Sequence, residues 1–281
     1  MNRLATSLGA LVVGLIVGLG LGYAAFHTTA PTTTGGTGME TQTPTSMGAG
    51  EYGNYTASEN YTVKLAYNEK VGLYLVDWKG RTLYFFAKDY NGSSACYGEC
   101  ANHWPIFYVE NLKPGPGLNP DDFGVITRKD GSKQITYKGW PLYYYAGDAK
   151  PGDINGDGVK GVWFVAKPDY TVLVAVKPGL GKYLVDAYGR TLYIFAKDTN
   201  GTSTCYGECA QKWPPFTPSS LVIPSTLSLA DFGFTVRSDG SVQLTYEGHP
   251  LYYWINDQAR GDTTGHGVKG VWFVASVGEG S

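Results

Sequence analysis

The chain of 281 residues is 16% charged and 14% aromatic, with 39 glycines and a formal net charge of −2. Globular proteins are usually about 25% charged, and no basic run here supplies the clustered cations that nucleic-acid binding requires, which argues against a nucleic-acid partner. Abundant glycine and tyrosine with little charge predict an all-β ectodomain of short strands joined by tight turns.

The first predicted element along the chain is a membrane segment at residues 4–26. Its 23 uncharged residues, LATSLGALVVGLIVGLGLGYAAF, are enough to span a bilayer as a helix. Arg3 precedes the segment and the next cation is Lys64, so the positive-inside rule predicts a single-pass cell-membrane protein with its C-terminal part outside the cytoplasm. A cleaved signal peptide ending near residues 22–24 is the alternative for residues 1–27.

Residues 28–60 follow as a predicted stalk. Residues 28–50 are rich in threonine, glycine, serine and proline and contain no run of core-forming side chains, which is typical of a flexible linker that can carry O-linked sugars. In an exported protein, Asn-x-Ser/Thr sequons are candidate glycosylation sites on exposed loops. The four sequons begin at Asn54, Asn60, Asn91 and Asn200.

The rest of the chain is a duplication. GLYLVDWKGRTLYFFAKD at residues 72–89 returns as GKYLVDAYGRTLYIFAKD at 181–198, and DGVKGVWFVA at 157–166 returns as HGVKGVWFVA at 266–275. Both blocks recur 109 residues further along the chain. Such a fixed offset predicts two tandem structural repeats of about 109 residues.

A weaker repeat lies inside the first, because VDWKGRTLYFFAKD at residues 76–89 aligns with ITYKGWPLYYYAGD at 135–148. The chain therefore carries four half-units, two per repeat, and each contains the motif Tyr-x-aromatic-x-x-Asp. We expect the aspartate, at the end of a strand, to accept backbone N–H groups in the following turn, and a catalytic or metal role is the alternative. The motifs are Tyr84/Phe86/Asp89, Tyr143/Tyr145/Asp148, Tyr193/Phe195/Asp198 and Tyr252/Trp254/Asp257.

Each half-unit is predicted to consist of strands. LYLVD and RTLYFFA indicate a hairpin, FGVITRKDGSKQITYKGWPLYYYAG indicates three strands with two turns, and GVWFVA would add a fourth. TLYFFA is apolar on both faces, which predicts a strand buried on both sides. Two architectures fit this pattern. The period of 109 favours two similar β-domains, at residues 61–168 and 169–281, over a closed four-bladed propeller-like ring.

The aromatic-aspartate motif, the CYGECA…WP block and the TYxGxPLYYY…GD…GVWFV block resemble the secreted lipoprotein repeat family that this motif defines. The resemblance covers about residues 70–275 and implies export and tandem repetition, without implying an activity. The chain departs from a lipoprotein in one respect, since no cysteine stands near the end of the apolar N-terminal segment. We therefore expect the peptide helix itself, and not a lipid, to be the anchor.

The four cysteines form two pairs with the same spacing, Cys96 with Cys100 and Cys205 with Cys209. Outside the cytoplasm the redox environment favours disulfides. Two residues four apart on a helical turn share a face about 5–6 Å apart, which modest distortion brings within bonding range. Because each repeat carries its own pair, we predict two local disulfides among the three possible pairings.

Other cysteine chemistry fits less well. CYGECANH is similar to the dinuclear copper loop of cytochrome oxidase subunit II, but His103 is one residue short of that spacing, no Met follows, and Lys212 replaces the histidine in the second repeat. Attachment of haem needs a histidine directly after the second cysteine, where Ala101 and Ala210 stand. A thiol–disulfide couple stays open, although the Cys-x-x-Cys spacing is lacking.

Further candidate sites have structural interpretations that we prefer. Trp104 and Trp213 are expected to fill the core beside the disulfides, with a sugar-binding platform as the alternative. GDINGDG at residues 152–158 matches the opening of a calcium loop, but Phe164 stands where the closing glutamate belongs, so we predict a glycine-rich turn. No two histidines share a repeat position, which argues against a His-based catalytic set. The histidines are His27, His103, His249 and His266.

The sequence therefore predicts a non-enzymatic surface module without a cofactor or bound metal. It would be tethered by residues 4–26 and bind an envelope polymer or protein. The glycine stripe Gly14, Gly18 and Gly22 leaves helix pairing, and so a homo-oligomer, open. The alternative function is an extracytoplasmic redox or electron-transfer accessory that uses the cysteine pairs or a bound metal. An extracellular hydrolase has less support.

Overall fold

The structure, a computed structural model, describes residues 60–278. The predicted membrane segment, most of the stalk and the sequon at Asn54 lie outside the described residues. Within residues 60–278, no helix has the length and the apolar composition needed to cross a bilayer.

The first repeat consists of short strands and one five-residue helix, α1 (Glu99–His103). Three-residue 3₁₀ turns precede β4 and β7. The strands are β1 (Val63–Asn68), β2 (Gly72–Asp77), β3 (Tyr84–Phe86), β4 (Phe123–Thr127), β5 (Lys133–Tyr137), β6 (Trp140–Pro141) and β7 (Trp163–Val165).

The second repeat has the same elements in the same order, with the helix α2 (Glu208–Lys212) at the position of α1. Its strands are β8 (Val172–Lys177), β9 (Gly181–Asp186), β10 (Tyr193–Phe195), β11 (Phe232–Val236), β12 (Val242–Tyr246), β13 (His249–Pro250) and β14 (Trp272–Val274). The duplication seen in the sequence is therefore a duplication of structure.

Every sheet in the described residues is antiparallel and small, with two or three strands. In the first repeat, β1 pairs with β2, β4–β5–β6 form the predicted three-stranded meander, and β3 pairs with β7. The prediction that β7 adds a fourth strand to the meander is wrong. Instead, β7 closes on β3 of the other half-unit, with Phe85 opposite Phe164. Because β3 is buried on both faces, as predicted, its backbone N–H and C=O groups need partners inside the protein, and β7 supplies them along one edge.

The predicted hairpin of LYLVD with RTLYFFA is present only as a short contact. The main partner of β2 is β1, over six residue pairs from Val63 with Asp77 to Asn68 with Gly72. The chain after β2 meets it again through a single bridge between Val76 and Thr82. Each half-unit thus starts from a hairpin whose second strand leads into the motif.

The two half-units of a repeat face each other across their motif tyrosines. The Tyr84 amide donates to the Tyr143 carbonyl at 2.9 Å and the Tyr143 amide donates back to Tyr84 at 3.1 Å. In the second repeat, Tyr193 and Tyr252 make the same two bonds at 2.8 and 2.9 Å. This reciprocity gives each repeat an approximate twofold relation between its half-units.

The two repeats pack together in one compact unit and share a hydrophobic cluster that contains Leu83 and Trp140 of the first repeat and Leu173 and Tyr183 of the second. The sheets of residues 60–278 close into neither a barrel nor a propeller ring, so the alternative architecture is wrong.

Candidate functional site

The motif tyrosine of each half-unit donates its hydroxyl to the motif aspartate of the other half-unit. In the first repeat, Tyr84 Oη donates to Asp148 Oδ2 at 2.7 Å, and Tyr143 Oη donates to Asp89 Oδ2 at 2.6 Å. The same bonds in the second repeat are Tyr193–Asp257 at 2.5 Å and Tyr252–Asp198 at 2.6 Å. The motif is therefore a pair of crossed links between half-units.

The second carboxylate oxygen of each motif aspartate closes the turn that follows the strand. Asp89 Oδ1 accepts the Ala95 amide at 2.7 Å, and Asp148 Oδ1 accepts the Asn155 amide at 3.0 Å. Asp198 and Asp257 accept the corresponding amides of Thr204 and Thr264 at 2.7 and 3.0 Å. One carboxylate thus fixes both its own turn and the opposite half-unit.

Burial controls the protonation of these groups. Desolvation raises the pKa of Asp89 to about 7, against the opposing hydrogen bonds from Tyr143 and Ala95. Desolvation also raises the pKa of Asp148 above its ordinary value. The pKa values of Tyr84 and Tyr143 lie well above the ordinary value for the same reason, so each phenol keeps the proton that it donates.

The second aromatic residue of each motif ends a stack of four rings. In the first repeat Phe86 stacks on Trp163 at 4.0 Å, Trp163 on Trp104 at 3.7 Å, and Trp104 on Tyr145 at 4.4 Å between ring centroids. The second repeat repeats the stack in the order Phe195, Trp272, Trp213, Trp254.

Both faces of the central tryptophans are covered by neighbouring rings. Trp104 and Trp213 are only 5% and 4% exposed. They fill the core, and no ring face of theirs is left for the alternative role of a sugar-binding platform.

Two local disulfides, Cys96–Cys100 and Cys205–Cys209, are present, with Cα atoms 5.3 and 5.2 Å apart. The pair does not lie on one helical turn as expected, because α1 begins only at Glu99. Gly98, with a φ of 59°, turns the chain between the two cysteines into the left-handed region that favours glycine.

A buried arginine ties the disulfide loop to the meander. Arg128 donates from Nη1 to Ser94 Oγ at 2.5 Å and to Gln134 Oε1 at 2.8 Å, and from Nη2 to the Cys96 carbonyl at 2.7 Å. Ser94 in turn donates its own hydroxyl to Tyr143 Oη, because the single Tyr143 proton is given to Asp89. Arg237 makes the equivalent bonds to Ser203, Gln243 and Cys205.

A second charged cluster lies where β2 ends. Asp77 is fully buried, and its carboxylate accepts the amides of Lys79 and Arg81, the Arg81 Nε at 2.8 Å and the Tyr144 hydroxyl at 3.0 Å. Asp186 has the same partners in the second repeat. The sequence analysis missed both this cluster and Arg128. The same residue types stand at the equivalent positions of the two repeats, and this could have identified them.

The remaining sequence candidates occupy turns and loops. Asp153 accepts the amides of Ala149 and Lys150, as a tight turn requires. The sequon residues Asn60, Asn91 and Asn200 are exposed. In residues 60–278, no group of three or more His, Cys, Asp or Glu side chains is placed to hold a metal ion.

Each repeat has a cleft beside its aromatic stack, and we call these two the stack clefts. Their volumes are about 540 Å³ in the first repeat and 660 Å³ in the second. The first is lined by Lys88, Glu99, Cys100, His103, Trp104 and Lys160, among others. The second is lined at the equivalent positions by Lys197, Glu208, Cys209, Lys212, Trp213 and Lys269.

The model of a family described as a secreted repeat of unknown function matches four segments of the chain, 66–107, 124–167, 174–217 and 233–276. The chain belongs to this family. Each matched segment contains one Tyr-x-aromatic-x-x-Asp motif, so the secreted repeat of the family corresponds to one half-unit of this fold. No curated protein and no solved structure matches the chain.

Proposed function

We propose that the protein is a non-catalytic, extracytoplasmic module of the cell envelope with a structural or adhesive role, anchored by residues 4–26. The observation that supports this proposal most directly is that the motif residues bind one another inside the protein. All four motif aspartates are occupied by the hydroxyl of the opposite half-unit and by the following turn.

A catalytic carboxylate has to reach its substrate. Asp89 is fully buried and Asp198 is 3% exposed, and both oxygens of each accept hydrogen bonds. The defining residues of the repeat hold the half-units together. Two kinds of cleft open to solvent in both repeats: the stack clefts, and a second pair lined by the partly exposed motif aspartates Asp148 and Asp257. A duplicated surface on one compact unit suits binding to an extended partner.

Two measurements on the full-length chain in its host test this proposal. Protease added to intact cells should digest the β-repeats, and the purified chain should be retained by envelope fragments from the same cells. Protection of the repeats in intact cells, or no retention by the fragments, would contradict the proposal.

An electron-transfer accessory is the second candidate, and one observation favours it. Cys100 and Cys209 line the stack clefts next to four stacked rings, where a reductant could reach the disulfides. Thiol titration and metal analysis of protein purified without reducing agent separate the two functions. Thiols that cycle or stoichiometric copper would support this candidate, and two inert disulfides without metal would remove it.

A further inference from the structure

We propose that each stack cleft binds an acidic polysaccharide through the carboxylate groups of the polymer. This inference rests on the proposed envelope function and names the ligand class of that function. Four observations on the clefts carry it.

The charge of the clefts is opposite in sign to that of the chain. Lys88 and Lys160 flank the first cleft against the single carboxylate of Glu99, with His103 beside them. The second cleft has three lysines against Glu208. In a chain with a formal net charge of −2, these are two local cationic patches, and such patches attract and orient anionic ligands.

The walls of the clefts also offer unused hydrogen-bond donors. Trp104 and Trp163 are 5% and 3% exposed, and within the described residues no acceptor binds either indole N–H. Neither nitrogen is among the sealed polar atoms that lack a partner, and both residues line the first cleft. A carboxylate oxygen is the acceptor that such buried donors bind most strongly.

One lysine of each cleft is held in an unfavourable backbone conformation. Lys160 has a φ of 53° and Lys269 a φ of 52°, in the left-handed region where any residue with a Cβ is strained. Glycine would adopt this conformation freely, and glycines stand on both sides at Gly158 and Gly161. A lysine at both equivalent positions is explained if its ammonium group serves the cleft.

The number of sites and their charge indicate a polymer of sugars. A repetitive ligand offers the same group to both of the equivalent clefts. Each cleft has an excess of only one or two cations. A polysaccharide with about one charge per sugar matches this low charge better than a polyphosphate, whose charge is denser.

The test measures binding of the full-length protein in detergent to polygalacturonate, with dextran as the neutral polymer and polyphosphate as the competing anion. We expect polygalacturonate to bind best, with an affinity that falls as salt is added. Replacing both lysines, as Lys160→Gly with Lys269→Gly, should weaken this binding at least about tenfold. The same variant should melt no lower than wild type, because the backbone strain is relieved.

Two further variants control for folding and for charge. Lys160→Gln with Lys269→Gln keeps the backbone conformation and should weaken binding by a similar factor. Lys129→Gln with Lys133→Gln removes the same charge from exposed positions outside the clefts and should leave binding unchanged.

Equal weakening in the control variant, or binding of dextran or polyphosphate as tight as that of polygalacturonate, would overturn the inference. So would the absence of polygalacturonate binding. If envelope fragments still retain the chain in that case, the inference fails and the proposed envelope function stands. If the fragments do not retain it, both fail.

Discussion

Asp89 shows how a single side chain connects distant parts of this fold. It lies at the end of a strand, so acceptance of an amide in the following turn could be expected from sequence alone. The hydroxyl of Tyr143, 54 residues away, could not be expected, because periodicity within one segment contains no information about the segment opposite. The repeated motif identified both residues but did not show that they bind each other.

The raised pKa of Asp89 makes stability depend on pH. The unfolded chain loses this proton near the ordinary aspartate pKa of 3.8, whereas the folded protein keeps it until about pH 7. The folded state binds the extra proton between these values, so the free energy of unfolding should fall as pH rises from about 4 to about 7.

Urea unfolding across this window tests the effect, and Asp89→Asn should remove most of the fall. Asp130→Asn is the control. Hydrogen bonds from Ser132 lower the pKa of the exposed Asp130. Its contribution to the free energy of unfolding is therefore lost as pH falls, the opposite direction to that of Asp89. An unchanged pH dependence in Asp89→Asn would show that the carboxylate is not the cause.

At the scale of elements, the sequence predicted strands better than it predicted their partners. The meander β4–β5–β6 was predicted because its turns, Asp130–Gly131 and Lys138–Gly139, are short and local. The pairing of β7 with β3 joins residues about 80 positions apart and has no local signal. The helical placement of the cysteines was wrong because the left-handed turn at Gly98 intervenes.

The aromatic stack joins α1, β3 and β7 through Trp104, so truncating this ring should loosen all three elements. Trp104→Ala should lower the free energy of unfolding by about 3–5 kcal/mol, as for other large buried aromatic residues. The control is Trp78→Ala, at a tryptophan that is 44% exposed, which should cost less than about 1 kcal/mol. Equal losses in urea titrations would mean that the stack does not support the fold.

At the scale of the whole molecule, the two repeats join through different faces. The Trp140 indole donates to the Ala187 carbonyl at 3.0 Å, and the Arg260 guanidinium lies 4.0 Å over the Trp140 ring. The positions equivalent to Trp140 and Arg260 are His249 and Pro151. The repeats therefore differ where they meet, which explains why a comparison based on identity did not reveal the interface.

This asymmetry leads to a matched pair of substitutions. Trp140 is 1% exposed, and Trp140→Ala should cost about 3–5 kcal/mol by opening a cavity between the repeats. His249 occupies the same position in the second repeat and is partly exposed, so His249→Ala should cost less than about 1 kcal/mol. Similar losses in both variants would contradict the assignment of Trp140 to the interface.

The most direct test of the crossed motif is a pair of double-mutant cycles measured by urea unfolding. We expect a coupling of about 0.5–3 kcal/mol between Tyr84→Phe and Asp148→Asn, whose side chains bind each other at 2.7 Å. The coupling between Tyr84→Phe and Asp89→Asn should be smaller, because these residues belong to one motif but to different hydrogen-bonded pairs. A coupling of Tyr84 with Asp89 that equals or exceeds the coupling with Asp148 would show that the links between half-units are not crossed.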